Sequence, residues 1–128
     1  MSNNLNDTLT FTENGNEITI TMYAGILSKI GKAIGGPDGL DKIAYDTEIQ
    51  EKLVEAILTK YDPEGNACGK HTTLFSLSVE NFSEILSWGI EHYSFFIVNS
   101  SRNMLEKMSK LQKEIAEAEK TLIPTNNG

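Results

Sequence analysis

The chain has 128 residues, 39% of them hydrophobic and 23% charged, which fits a single domain with one modest core. Its 18 acidic and 11 basic residues give a formal net charge of -7. This charge repels nucleic-acid phosphates and anionic lipid headgroups, so we expect neither nucleic acid nor a membrane as a partner. The one cysteine cannot form an internal disulfide, no apolar run approaches the roughly 20 residues that cross a bilayer, and the first residues lack the pattern of a secretory signal, which together predict a cytoplasmic protein.

The N-terminal segment alternates apolar residues with threonine, the pattern of half-buried strands. Two such runs, 8–12 and 17–22, flank Asn14-Gly15, a pair that favours a tight reversing turn. We therefore predict a β-hairpin over 8–22. One face of this hairpin carries the apolar residues Leu9, Phe11, Ile18, Ile20 and Met22. Because a lone hairpin is marginally stable in water, that face must rest on a helix, a strand or a partner protein.

Two helices are expected before the middle of the chain. Apolar residues at helical spacing predict a helix over 23–34, which the run Gly35-Gly36-Pro37 ends. A second helix is predicted over 47–61, after Asp46, whose carboxylate can cap the free amides of the first turn. The polar residues 66–76 lack a clear period and predict an exposed loop.

A third helix is predicted over 79–98. Its start is well marked, with Ser78 as the N-cap and Glu80 in the first turn. The apolar stripe of this helix consists of Phe82, Ile85, Leu86, Trp88, Ile90, Tyr93, Phe96 and Ile97. So many large side chains on adjacent turns predict that this helix contributes most to stability, with only Gly89 weakening it.

The last segment with regular spacing predicts a helix over 101–122. Its apolar residues alternate spacings of four and three, as in a coiled-coil heptad: Met104, Met108, Leu111, Ile115, Ala118 and Leu122. The third and fourth helices form either one continuous helix or two helices broken near Asn99, and the polar run Asn99-Ser100-Ser101 favours a break. The stripe itself serves either as core or as a surface for a partner.

These patterns predict a mainly α-helical fold with a small N-terminal β-hairpin, an α+β fold with a long C-terminal helix. We expect one domain over 1–123 and a flexible tail over 124–128.

Few residues combine in a way that suggests chemistry. Cys68 and His71 stand at the spacing of metal ligands, but a closed zinc site takes about four ligands and the only other histidine is His92. The glycines near residue 35 follow a helix instead of preceding one, which indicates a turn and not a nucleotide site. We therefore expect no catalytic residue, no metal site, no cofactor and no enzymatic activity.

In the order and content of these segments, the chain resembles the small tail-assembly chaperones of tailed bacteriophages and related phage-like particles. The resemblance covers about 8–110, and its most particular stretch runs from Trp88 to Phe96. The segments that carry it are the threonine-rich hairpin and the runs 23–31, 45–58, 77–82 and 86–96. It implies a helical protein that binds the tape-measure protein, keeps that protein's hydrophobic helices soluble and assists polymerisation of the tail tube. The long C-terminal heptad departs from the family pattern and would also suit a permanent place in the particle.

The resemblance thus implies a non-enzymatic phage tail assembly protein that acts in the host cytoplasm and binds tape-measure or tail-tube proteins or other phage structural proteins; a homo-oligomer is a further expectation. The alternatives are a minor virion component of the tail, baseplate or head-tail junction, and a small metal-dependent regulator or enzyme that uses Cys68 and His71. The predicted partner surfaces consist of the hairpin residues Leu9, Phe11, Ile18 and Ile20 and the heptad residues Met104, Met108, Leu111 and Ile115.

Overall fold

The computed structural model describes residues 5–122, and these confirm the predicted fold class, a mainly helical protein with an N-terminal hairpin and a long C-terminal helix. In chain order the elements are β1 (Thr8–Glu13), β2 (Asn16–Thr21), α1 (Ala24–Ile34), α2 (Asp38–Lys42), α3 (Thr47–Leu58), β3 (Thr59–Tyr61), β4 (Ala67–Lys70), a 3₁₀ turn (Leu74–Ser76) and α4 (Val79–Leu122). The tail predicted for 124–128 lies outside the described residues.

The chain divides into two compact units at the boundary between Phe96 and Ile97. Unit 1 holds both hairpins, the first three helices and the start of α4, and unit 2 holds the rest of α4. The single domain expected over 1–123 stays a prediction.

The N-terminal hairpin forms as predicted. β1 and β2 pair antiparallel, with Leu9 opposite Ile20 and Phe11 opposite Ile18, so that the apolar residues share one face. Asn14 and Gly15 connect the strands with φ of 52° and 81°. Two successive residues at positive φ give the turn a twist that matches the strands, which is why asparagine and glycine suit this place.

The helices α1 and α3 begin and end largely where local chemistry dictates. Gly35, at φ 86°, ends α1, and its amide donates to the Gly31 carbonyl at 3.0 Å. Asp46 begins α3, because its carboxylate accepts from the amides of Glu48 and Ile49 at 3.0 and 3.3 Å. These contacts satisfy backbone groups that have no partner within a helix.

The predicted end of the second helix at residue 61 is wrong. α3 ends at Leu58, and Thr59–Tyr61 forms β3, which pairs antiparallel with β4 inside the segment expected to be a loop. Asp62 shapes the turn between these strands, since its carboxylate accepts from the amides of Glu64 and Asn66 at 3.0 and 2.8 Å. The turn residues that appeared to stop a helix instead connect a second, short hairpin.

A short helix, α2, occupies Asp38–Lys42, where the sequence indicated only a turn. Pro37 precedes it in a helical conformation, and Asp38 and Asp41 lie in its first turn. Proline at the start of a helix loses no hydrogen bond, and acidic residues there are favoured by the helix dipole.

The predicted break near Asn99 is also wrong, because α4 runs without interruption from Val79 to Leu122. Ser78 caps it as predicted, with its hydroxyl accepting from the Asn81 amide at 3.1 Å. The run Asn99-Ser100-Ser101 contains neither proline nor glycine. Each of its residues costs a helix only a few tenths of a kcal/mol relative to alanine, which is too little to end it.

The core of unit 1 is built around α3. Seven large side chains there are almost fully buried: Ile20, Ile30, Leu53, Val54, Ile57, Leu58 and Ile85. Four of these seven belong to α3 and one to α4, so the deepest part of the core is not in the third predicted helix.

Gly89 of α4 lies against α3, since a Cβ at residue 89 would come within 2.7 Å of both Leu53 and Ile57. The glycine that weakens the stripe in sequence terms therefore permits close packing of α4 on α3.

Candidate functional site

The apolar face of the N-terminal hairpin is largely committed to the core of unit 1. Phe11 and Ile20 are 5% and 1% exposed, while Leu9 and Ile18 are half-buried. The prediction of Phe11 and Ile20 as partner-contacting residues therefore needs correction, because side chains that are already buried offer no surface to another protein. For Leu9 and Ile18, contact with a partner stays a prediction.

Polar contacts also fasten the hairpin to the start of α4. Asn81 donates from Nδ2 to the Thr12 carbonyl and to Oε1 of the buried Glu13, both at 2.8 Å. These bonds join residues almost seventy positions apart in the chain. They fix the hairpin on the helix, so its polar edge has a structural role.

His92 has a structural role of the same kind. It is buried, and its Nε2 lies 2.7 Å from the carbonyl of Asn6, which also accepts a 2.9 Å bond from Trp88 Nε1. A carbonyl can only accept, so the His92 ring must carry a proton on Nε2. The His92 ring and the Trp88 indole together hold the segment before β1 in place. The Nε2 proton of His92 is used in this structural hydrogen bond.

In unit 2 the predicted heptad residues lie at the surface. Met104, Met108, Leu111 and Ile115 are between 48% and 58% exposed. We name as the seam face the residues that continue this spacing through the described part of unit 2: Ile97, Ser101, Met104, Met108, Leu111, Ile115 and Ala118. Four large apolar side chains on successive turns form an unusual surface for a chain in water, and such surfaces mark contacts with other molecules.

Two exposed residues outside the predicted set widen the seam face. Leu105 is 66% exposed and Val98 is 53% exposed, and each directly follows a seam residue, Met104 and Ile97 respectively. Both occupy the same heptad position at the flank of the face. The spacing of seven residues between them is the sequence signal that indicates this flank.

A second surface feature of unit 1 is a cleft of about 710 Å³ between β2, α1 and the second hairpin. Tyr61 lies in it with its hydroxyl donating to the Ala56 carbonyl at 3.0 Å and with the Lys29 ammonium 5.3 Å from its ring centre. Burial raises the pKa of Tyr61, so the hydroxyl stays protonated at neutral pH. The tyrosine is therefore held as a donor and a packing surface.

Cys68 and His71 line the same cleft. Burial, and then the charge of Lys60, lower the pKa of His71, so its ring is neutral at physiological pH. Within residues 5–122, no hydrogen bond joins the Cys68 thiol to the His71 ring, and no group of three or more histidine, cysteine, aspartate or glutamate side chains is placed to hold a metal ion. Cys68 and His71 therefore line the same cleft but are not joined as a thiol–imidazole pair.

Comparison with protein-family models, with curated proteins and with solved structures gives no match. Among the described helices, none is both long and apolar enough to span a bilayer. Half of the large apolar side chains that are exposed in the described residues lie in unit 2, on the seam face and its flank: Val98, Met104, Leu105, Met108, Leu111 and Ile115.

Proposed function

We propose that this chain is a non-enzymatic assembly protein that binds other proteins through the seam face. The observation that carries the proposal is the exposure of Met104, Met108, Leu111 and Ile115, at 48–58%, on one side of a helix. Complete burial of a fully exposed side chain of this size is worth about 1.5–3 kcal/mol, and these side chains are half exposed, so a helical partner that covers them gains roughly half of that for each. Methionines suit this role, since their flexible side chains adapt to more than one partner surface.

The assembly in which the chain acts is, in this proposal, the tail of a bacteriophage or a phage-like particle. The support is the resemblance of 8–110 to tail-assembly chaperones, together with the seam face. A chaperone of this kind binds the tape-measure protein or tail-tube proteins before they polymerise. An exposed apolar helix face suits the task, because it can cover the hydrophobic helices of such a partner.

Co-expression with the tape-measure and tail-tube proteins of the same particle tests this function. The expected result is a stoichiometric complex that the variant Met108→Glu/Leu111→Glu does not form. A matched control, Ser109→Glu/Ala116→Glu, adds the same two charges to the same helix at exposed positions outside the seam face and its flanks. Recovery of the wild-type chain free of any tail protein contradicts the proposal, and so does a complex that the seam variant still forms.

A permanent virion component is the second candidate, and the uninterrupted helix Val79–Leu122 favours it. A 44-residue helix with a heptad pattern suits a lasting structural contact better than a transient one. Mass spectrometry of purified particles separates the two roles. A structural subunit is present at a fixed copy number, whereas a chaperone is absent from the finished particle.

A further inference from the structure

The seam face has the pattern of a two-stranded coiled coil over the described part of unit 2. Ile97, Met104, Leu111 and Ala118 occupy one core position of the heptad, and Ser101, Met108 and Ile115 occupy the other. The residues on either side of these positions are the ones that face a partner helix across the edges of the pair. On one edge these flanking residues include Lys107 and Glu114, and on the other Gln112 and Glu119.

Two copies of this segment match each other in an antiparallel arrangement. With Met108 set against Leu111 of a second copy, Met104 meets Ile115 and Ser101 meets Ala118, so large residues pair with large and small with small. The arrangement is symmetric, and therefore each of these layers occurs twice. Six core layers form over 101–118, a length of roughly 27 Å at 1.5 Å per residue.

The flanking charges favour this antiparallel pairing. Lys107 and Glu114 share one heptad position, and in an antiparallel pair this position faces the same position of the second helix. Lys107 of each copy therefore lies beside Glu114 of the other, and two attractive contacts form. In a parallel pair, Lys107 faces the neutral Gln112, while Glu114 faces Glu119 and two repulsive contacts form. Attraction in one orientation and repulsion in the other give the face a preferred partner and direction.

The distribution of charge along the chain removes an obstacle to self-association. Unit 1 carries 14 acidic and six basic residues, whereas unit 2 has four acidic and five basic residues. Almost all of the net negative charge therefore belongs to unit 1, and two copies of unit 2 can approach without net repulsion between them.

We infer that the seam face binds a second copy of this chain, forming an antiparallel two-helix pair in which Met108 packs against the partner's Leu111 and Lys107 pairs with the partner's Glu114. This inference goes beyond the proposed function, because self-association requires no second protein. It also explains how the free chain covers an apolar face in water.

Sedimentation equilibrium of the whole protein over a range of concentrations tests the inference. The wild type is expected to show a monomer–dimer equilibrium. Glu114→Lys replaces two attractive contacts with two like-charge contacts and should raise the dimer dissociation constant about tenfold. The double change Lys107→Glu/Glu114→Lys restores both pairs with reversed sign and should return the constant to near the wild-type value.

Glu106→Lys is the matched control for the charge change. Glu106 and Glu114 each lie four residues from Lys110, so both variants change the net charge equally and place a like charge beside Lys110. Only residue 114 faces the second helix. A wild type that is monomeric at every concentration overturns the inference. Tighter association of Glu114→Lys also overturns it, since that result indicates a parallel pair, and equal effects of the two variants do so as well.

Disulfide trapping provides an independent measurement of the register. The exposed Cys68 is first replaced by serine, and two single variants, Met108→Cys and Leu111→Cys, are then oxidised separately and as a mixture. Antiparallel pairing predicts a disulfide mainly between the two different variants. Efficient disulfides within each variant alone contradict it, because they require the parallel register. Co-purification with tail proteins is measured separately, so failure of the self-association and failure of the proposed function are distinguishable.

Discussion

Replacing Gly89 with alanine should destabilise the protein, although alanine is the better helix former. A Cβ at this position lies 2.6 Å from Ile57 Cδ1 and 2.7 Å from Leu53 Cδ2. Carbon atoms pack best at about 3.5–4.0 Å, so each of these methyl groups has to retreat by roughly 1 Å. Both side chains have no exposed surface, and the close-packed core around them leaves little room for the movement.

The expected size of the effect follows from two opposing contributions. Removing a glycine from a helix interior stabilises by about 1 kcal/mol, while overpacking a core costs about 1–3 kcal/mol. The net loss should be about 1 kcal/mol, which lowers the melting temperature of a protein of 128 residues by roughly 3–6 °C. Circular dichroism melting of the variant measures the change directly.

Gly25→Ala is the control for the helix contribution. Gly25 lies in α1, and a Cβ there meets no atom within 4 Å, so this substitution should leave the melting temperature unchanged or raise it. Ile57→Val removes the methyl group nearest to the added Cβ and should cost less in the Gly89→Ala background than in the wild type. If Gly89→Ala stabilises as much as Gly25→Ala, the close packing of α4 on α3 is refuted.

Three further predictions concern unit 1. Asp46→Ala removes the acceptor for two amides of α3 and should lower the free energy of unfolding by about 1 kcal/mol in urea titrations, whereas Asp46→Asn should restore most of it. Trp88→Phe removes the donor to the Asn6 carbonyl and should lower the free energy of unfolding by at least about 1 kcal/mol in the same assay. The segment before β1 should then become less ordered, which is measured as faster amide exchange. His71 should titrate by NMR with a pKa below 6.5, because burial and then Lys60 disfavour its charged form. Its contribution to the free energy of unfolding is present above pH 6.5 and is lost as the pH falls through the folded-state pKa. Lys60→Ala should move that pKa upward, and a His71 pKa at or above 6.5 in the wild type would contradict the burial described for it.

Signals confined to a few neighbouring residues were read correctly from the sequence. Asn14-Gly15 defined the first hairpin, Gly35 ended α1, and Asp46 and Ser78 capped their helices where predicted. Each of these residues acts on backbone groups within four positions of itself. Their effect is therefore largely independent of the rest of the fold.

The errors arose where the sequence pattern fits two structures. Tyr61 continues the helical stripe of α3, yet it lies in β3, because a run of three residues can belong to either period. The turn at Asp62 serves equally well to end a helix or to join two strands. Pairing with β4, which no local pattern specifies, decides between them.

The candidate site was predicted in part for a similar reason. Periodicity placed the seam residues on one side of a helix but could not tell whether those residues are buried or exposed, since both arrangements use the same spacing. Phe11 and Met108 show the two outcomes: one is 5% exposed and the other 48%. Only the packing of the remaining elements distinguishes them.

We propose that the large side chains of the seam face serve contacts with other protein and take no part in the core. Thermal melting of the variant Met108→Glu/Leu111→Glu tests this most directly. Unfolding is monitored by the fluorescence of the buried Trp88, at a dilution where the wild type is monomeric. We expect a melting temperature within about 2 °C of the wild type, because exposed substitutions usually change stability by less than about 0.5 kcal/mol. A fall of 10 °C or more would contradict it, since a loss on the order of several kcal/mol is the effect of disrupting a core.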